Sequence, residues 1–391
     1  MTTQPLKLDY SHSPVQTPFR IQREPRSCQR RPWLERLADL AGLALTRFAG
    51  VRPRRAASGS FDVTSAKAPG SSETALALLD QFSTLAGQMH VLSDDPWQFL
   101  WAKDRCAFLP FHELASTLIA WRDPVGPAEE AASLVERFRA FAAKRGKHAV
   151  LLGMSRSMLE GLRDHRFQPV WLGTEPFYDL ATWHTRGKAG MKVRLACNHV
   201  RRLSAAAREA HPLQDARDRE AIARVEDAWK SARPERRNDS FLRTAPLENA
   251  RHRRYFVVET GSRMESFLVC SPVSHRGQYL QDFVRMPDAP WGANELAMLT
   301  ALRVFQGEGL DFVTGGIIPF YDPNKSHSNK VTGGAGALGW VIRHFDRLFH
   351  FAGLQQFRAK FVPSRVVDIY AMLWPGTLTP ALAWDIRSLL S

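Results

Sequence analysis

Apolar positions recur along this chain with two periods, near 3.6 and near 2, and their alternation predicts an α/β protein built from two similar units. In the first unit SETALALLDQFS carries the helical period, CAFLPF and STLIAWRD read as strands, and Asp123-Pro-Val-Gly-Pro127 is a turn by composition. The helical period returns in AEEAASLVERFRAFAAKRG, with Glu129 and Glu130 in its first turn and Lys144 and Arg145 near its end, the charge order a helix dipole favours. The run HAVLLGM, the helix SMLEGLRDHR and the segment FQPVWLG close the unit. A strongly basic connector follows, WHTRGKAGMKVRLACNHVRRLSAAAREAH, and then the order repeats. Helix DREAIARVEDAWKSARP leads to strands RYFVVETG, MESFLVCSPV and YLQDFVRM, helix ANELAMLTALRVFQGEG, strand LDFVTGGII, a glycine-rich loop and helices near WVIRHFDRLFHFAG. Strands alternating with helices imply mixed sheets, and the repeated order points to an internal duplication.

The first 70 residues break this pattern. They are rich in Pro, Ser, Thr and Arg, and RIQREPRSCQRR and VRPRRAASGS read as a disordered basic tail. Inside it, residues 32–51 place Trp33, Leu37, Leu40, Ala44 and Phe48 at helical spacing. This amphipathic helix suits either a peripheral contact with a membrane surface or docking on the globular body. The expected organisation is therefore a tail over 1–70, a first unit over 71–185, and a second unit over 186–391 that carries the reactive site.

A length of 391 residues exceeds what one core usually organises, and 44% apolar with 24% charged residues is ordinary for a soluble globular protein. No window reaches the roughly 18 to 20 apolar residues a bilayer-spanning helix requires, and the N-terminus lacks the order of a secretory leader. A cytoplasmic protein is expected, with any membrane contact peripheral and at the inner face. Cys28, Cys106, Cys197 and Cys270 are scattered without a CxxC pair, so neither a disulfide framework nor a metal site is expected. The formal charge of +14 sets up a field that attracts polyanions: nucleic acid, anionic lipid or phosphorylated small molecules.

The richest stretch is GQYLQDFVRMPDAPWGANELAMLTALRVFQGEGLDFVTGGIIPF, residues 277–320, which sets an acid and a base three positions apart in an apolar strand. Together with WRDPVGPAEE, HRFQPVWLGTEPFYDL, GKAGMKVRLACNHVRR, DAW at 227–229 and GLQQFRAKFVPSR, its QDFVRM and GGIIPF give the chain a resemblance. Over residues 75–375 it is similar to the catalytic domain of the lysylphosphatidylglycerol synthetases, the multiple peptide resistance factor family. The resemblance implies tandem acetyltransferase-like (GNAT-type) domains. It also implies transfer of an aminoacyl group from aminoacyl-tRNA to a hydroxyl of an anionic phospholipid such as phosphatidylglycerol, with no cofactor. Relatives in this family usually carry membrane spans ahead of the domain, and shorter ones act on small hydroxyl acceptors.

Asp282 and Arg285 match the family's Asp-x-x-Arg, which implies that both lie in the active site. Asp282 would orient or deprotonate the attacking hydroxyl and Arg285 would clamp a phosphate or the oxyanion. Residues three apart in an unbroken strand face opposite ways, so convergence requires a bend or bulge near Phe283; the alternative is a plain surface ion pair. Lys360 and Arg358 fall in FRAKF, where the family carries a phenylalanine-lysine-x-lysine-phenylalanine run, and either cation would meet a phosphate. Lys188, Lys192, Arg194, Arg201 and Arg202 form a stripe able to bind tRNA phosphates, or else a solvated face. Lys330 precedes Gly333-Gly334-Ala335-Gly336, a loop similar to the one that holds a coenzyme A pyrophosphate, with a flexible surface loop or a seat for the tRNA terminus as the favoured readings. A small-molecule acceptor, a non-catalytic RNA- or membrane-binding module and an acyl-coenzyme A transferase all stay open as alternatives.

Overall fold

The computed structural model describes residues 60–162, 166–232, 244–319 and 351–375. The tail helix expected over 32–51, Lys330, the glycine run 333–336 and the helical segment before residue 351 lie outside them.

Two runs of elements follow the same order. The first is β1 (Val63–Ser65), α1 (Ser71–Phe82), β2 (Gln98–Trp101), β3 (Phe108–Glu113), β4 (Thr117–Trp121), α2 (Ala128–Arg145), β5 (His148–Ser155), α3 (Arg156–Gly161) and β6 (Gln168–Asp179). Helix α4 (Met191–Arg202) separates it from the second. That run is β7 (Ala205–Ala210), α5 (Ala216–Ser231), β8 (Arg254–Thr260), β9 (Arg263–Val273), β10 (Gly277–Arg285), α6 (Ala293–Gly307) and β11 (Phe312–Thr314). It ends with a short β12 (Ile318–Pro319), α7 (Phe351–Ala359) and β13 (Arg365–Trp374).

All the described strands join one mixed sheet in the order β1-β2-β3-β4-β5-β13-β6-β11-β10-β9-β8-β7, with β12 paired to β6. The order is a palindrome in which the repeats exchange their last strands: β13 lies beside β5, and β6 lies beside β11. Each repeat has one parallel pair, β4 with β5 and β10 with β11, and the other pairings among described residues are antiparallel.

Strand alternation sends successive side chains to opposite faces, and both faces are covered. On one face of the second repeat Phe256, Leu268, Leu280 and Phe305 share a core with Val193 and Val200 of α4. On the other face Tyr255, Val257, Phe267 and Val284 pack with Ile222, Val225 and Trp229 of α5. In the first repeat Leu109, Phe111 and Leu151 pack with Leu134 and Phe138 of α2, while Phe99 and Trp101 meet Ala75 and Leu79 of α1.

The basic connector proves to contain structure, namely α4 and β7. Val193, Ala196, Cys197 and Val200 supply the buried stripe at helical spacing, but none of the four is large, and Arg194, Asn198 and His199 break up the positions between them. Strand β13 likewise escapes a reading based on local alternation. It is inserted between β5 and β6, so both of its edges are paired, and consecutive residues from Ile369 to Leu373 are buried, which leaves RVVDIYAMLW without a clean alternation.

Candidate functional site

The site grows from the place where the parallel strands β10 and β11 part. Their pairing runs from Gly277 opposite Phe312 to Tyr279 opposite Thr314, and β10 then continues to Arg285 with, among the described residues, only β9 paired to it. Strand β11 stops because Gly315 and Gly316 turn the chain away. Gly316 has φ of 71°, and a Cβ there would lie 2.5 Å from the Tyr279 ring. The turn is held from inside: Gly316 N–H donates to Thr314 Oγ1 at 3.1 Å, and Arg358 Nη1 donates to the carbonyls of Gly316 at 3.2 Å and Ile317 at 3.1 Å. Parting of parallel strands at their carboxyl ends is where open α/β sheets place ligands.

A bulge between Leu280 and Asp282 leaves Gln281 outside the pairing with β9. It turns Leu280 into the core beneath α6 and sends Asp282 to the other face with Val284. Burial raises the Asp282 carboxyl to about 6, against the opposing charges of Arg253 and His90 and a hydrogen bond from Gln281. Its Oδ2 is buried without a hydrogen-bond partner. Met89, His90, Asn249, His252, Arg253, Ser271 and Gln281 line a narrow cavity next to it. The first repeat reaches this cavity through residues 88–92, tied down where Asn249 Nδ2 donates to the Leu92 carbonyl at 2.7 Å.

Arg285 stands with Phe283 on the opposite face, and its Nη1 donates to the Ala289 carbonyl at 3.4 Å. No ion pair joins Asp282 and Arg285 among the described residues. Phe283 stacks edge-on against Phe357 of α7, with ring centroids 4.9 Å apart. Just beyond α7, Lys360 Nζ donates to Glu295 Oε1 of α6 at 2.8 Å. Arg358 is 5% exposed, its burial lowers its pKa, and its own carbonyl accepts from Tyr178 Oη at 3.0 Å. Arg358 thus faces the site floor, whereas Lys360 sits on the α6 side. Lys188, Lys192, Arg201 and Arg202 are exposed, but Arg194 turns back to donate to the carbonyls of Thr185 and Gly187.

One group of residues carried no functional reading from sequence. Arg122 and Glu175, 2% and 0% exposed, form an ion pair of 2.9 Å whose angle falls short of a hydrogen bond at Glu175 Oε2. Glu175 Oε1 accepts from Ala86 N–H and Thr314 Oγ1, both at 2.8 Å. Arg122 Nη1 also donates to the Gly153 carbonyl at 3.3 Å, just where β4 and β5 part. The strand partings of both repeats therefore meet at Glu175. Both residues stand in quoted motifs, WRDP and TEPF, but their pairing is 53 residues apart in sequence and has no local pattern. A separate cavity of about 740 Å³ opens at the amino end of β11 beside Arg276, Asp311 and Arg365. Arg276 is already neutralised there by Asp311, and the cavity is remote from Asp282.

Among described residues no helix is long and apolar enough to cross a membrane. A family model described as phosphatidylglycerol lysyltransferase, C-terminal, matches residues 89–373. The phosphatidylglycerol lysyltransferase of Staphylococcus aureus strain MRSA252 is 22% identical over 282 residues, which is 70% of this chain and 32% of the relative. That of Bacillus subtilis strain 168 is 22% identical over 274 residues, 68% of this chain and 31% of the relative. The chain spans about a third of the length of the curated relatives it matches. A C-terminal domain of the lysylphosphatidylglycerol synthetase type from Agrobacterium fabrum superposes with a TM-score of 0.69 at 19% identity, covering 82% of this chain and 96% of that one. L-PGS from Bacillus licheniformis gives 0.67 at 16% identity, covering 88% and 99%. These likenesses and the duplicated element order bear out the mixed α/β fold. With more than half its length matched by the family model, the chain belongs to the phosphatidylglycerol lysyltransferase C-terminal domain family.

Proposed function

We propose that the chain transfers an aminoacyl group from the ester of an aminoacyl-tRNA to a hydroxyl of a glycerolipid headgroup such as phosphatidylglycerol. The observation that carries this reading is the Asp282 carboxyl, held near a pKa of 6 with a buried, unpartnered Oδ2 beside the parting of β10 and β11. A carboxylate titrating close to neutral pH suits a base that must take and return one proton. The headgroup hydroxyl attacks the ester carbonyl carbon as Asp282 accepts its proton. The tetrahedral intermediate then collapses, the bond to the tRNA ribose oxygen breaks, and the proton passes to that oxygen.

One ester replaces another, so the step is near thermoneutral and the protein's main tasks are positioning and proton transfer. A well-placed base contributes about 10² to 10⁴ in rate. Arg285 and Lys360, on the α6 side of β10, are the phosphate-binding candidates. Lys360 can serve only by leaving or sharing Glu295. The relatives named phosphatidylglycerol lysyltransferase support the lipid acceptor, and the charge of +14 supports polyanionic partners.

The test incubates the protein with radiolabelled aminoacyl-tRNAs and a total lipid extract. Label that enters the organic phase, and fails to do so with Asp282→Asn, is the expected result. Label confined to a water-soluble product would replace the lipid by a small acceptor. No transfer to any acceptor would leave a binding module or a coenzyme A-dependent enzyme in its place.

A further inference from the structure

Helix α4 turns an apolar crest outward between basic flanks. Its buried side is Val193, Ala196, Cys197 and Val200. At 100° per residue the opposite side carries Met191, Leu195 and Arg202 in one line. Met191 is 43% and Leu195 55% exposed, and Leu203 at the helix end is 47% exposed. Trp291, 54% exposed, extends this surface sideways, with its ring 5.4 Å from the His199 ring of α4. The two segments are pressed together at Gly292, whose φ is 102° and where a Cβ would lie 2.3 Å from the Ala196 carbonyl oxygen.

Along α4 and its flanks the charge has a single sign, and Asp288, the acid of the Trp291 turn, is paired with Arg263. Residues 186–203 contain six Lys and Arg and no Asp or Glu. Single exposed apolar residues are ordinary on a protein surface, but three large ones set among unopposed cations are not. Nucleic acid would take the cations and the Trp291 ring, yet it has no use for the aliphatic Met191 and Leu195, because its binders pair cations with stacking aromatics. An anionic bilayer uses both kinds of residue, since aliphatic side chains enter the acyl boundary while Lys and Arg meet headgroup phosphates.

We propose that α4 and the Trp291 turn form a docking face for the surface of an anionic lipid bilayer. This deepens the lipid-acceptor reading and rests on it for its biological sense. The turn that carries Trp291 begins directly after Arg285, and Arg285 itself donates to Ala289 within the turn. Docking therefore brings the Arg285 side of β10 toward the headgroups.

The test uses the full chain and vesicles of phosphatidylcholine with and without phosphatidylglycerol, with no aminoacyl donor present. Bromine-labelled acyl chains are expected to quench part of the tryptophan emission on anionic vesicles, and that part disappears in Trp291→Phe. Replacing Met191 and Leu195 together by serine is expected to weaken partitioning about tenfold or more, with an unchanged melting temperature as proof of folding. Quenching that Trp291→Phe does not diminish overturns the proposal. So does a serine double variant that binds tRNA more weakly but vesicles as before, which would make this face a nucleic-acid surface. Lipid docking without aminoacyl transfer would instead defeat the proposed chemistry and leave the docking face standing.

Discussion

Asp282 and Arg285 leave strand β10 on opposite faces of the sheet, Asp282 with Val284 toward α5 and Arg285 with Phe283 toward α6 and α7. The bulge that could have brought them together lies before Asp282, at Gln281, so the alternation from Asp282 to Arg285 is unbroken. They are therefore neither a surface ion pair nor a catalytic dyad in direct contact. One carboxylate is left buried without a cation bonded to it, and the guanidinium faces a different set of neighbours.

This separation predicts near-additivity. Asp282→Asn and Arg285→Gln, measured singly and together by denaturant unfolding, should show a coupling below about 0.5 kcal/mol, because residues without shared partners behave independently. A coupling well above about 1 kcal/mol would mean that the two side chains touch in solution.

The raised carboxyl of Asp282 makes the wild type less stable where it is ionised. The folded value is about 6 against an ordinary 3.8, so the native state holds the proton more tightly than the unfolded chain. The resulting loss of stability is complete above pH 6, shrinks as pH falls from 6 to 3.8, and is absent below 3.8. Asp282→Asn should thus stabilise the fold by roughly 2 to 3 kcal/mol at pH 8 and by almost nothing at pH 3, as read from melting curves. The same variant should abolish transfer, and wild-type transfer should rise with pH to a plateau through an apparent pKa near 6. A pH-independent rate would remove Asp282 as the base.

Gly316 is required twice over, once for its left-handed backbone and once for the Tyr279 ring against it. Gly316→Ala should cost about 2 to 4 kcal/mol, combining a left-handed alanine with overpacking. Adding Tyr279→Ala should recover the overpacking part only. Full recovery would mean that the backbone conformation carries no strain.

Sequence carried the element order well because most of it is local. The helical stripe of α2, the short apolar runs of β8 and β9, and the glycines that end β11 are visible within a dozen residues. Strand exchange between the repeats is not, since nothing in β13 itself names β5 and β6 as its partners. The site divides the same way. Asp282 stood out as an acid in an apolar strand, and the resemblance gave it a role. The bulge that aims it depends on the register with β9. Arg358 and Lys360 looked interchangeable, and only the packing of α7 against Gly315 and Gly316 separates the buried cation from the one held by Glu295.

The Arg122–Glu175 pair offers the sharpest division between stability and function. Glu175→Gln keeps an oxygen able to accept from Ala86 and Thr314 but leaves the Arg122 guanidinium buried without its counterion, a loss of about 3 to 5 kcal/mol. Glu175→Ala also releases Thr314, whose hydroxyl holds the Gly316 amide at the end of β11. The glutamine variant should therefore melt well below wild type yet keep much of its transfer rate at temperatures where it stays folded. The alanine variant should lose both, because the turn beneath the site is freed. Replacing Arg122 by methionine in the glutamine background removes the stranded charge and should restore most of the stability. Equal loss of transfer in the two Glu175 variants would show that the buried charge itself, and not the Thr314 anchor, shapes the site.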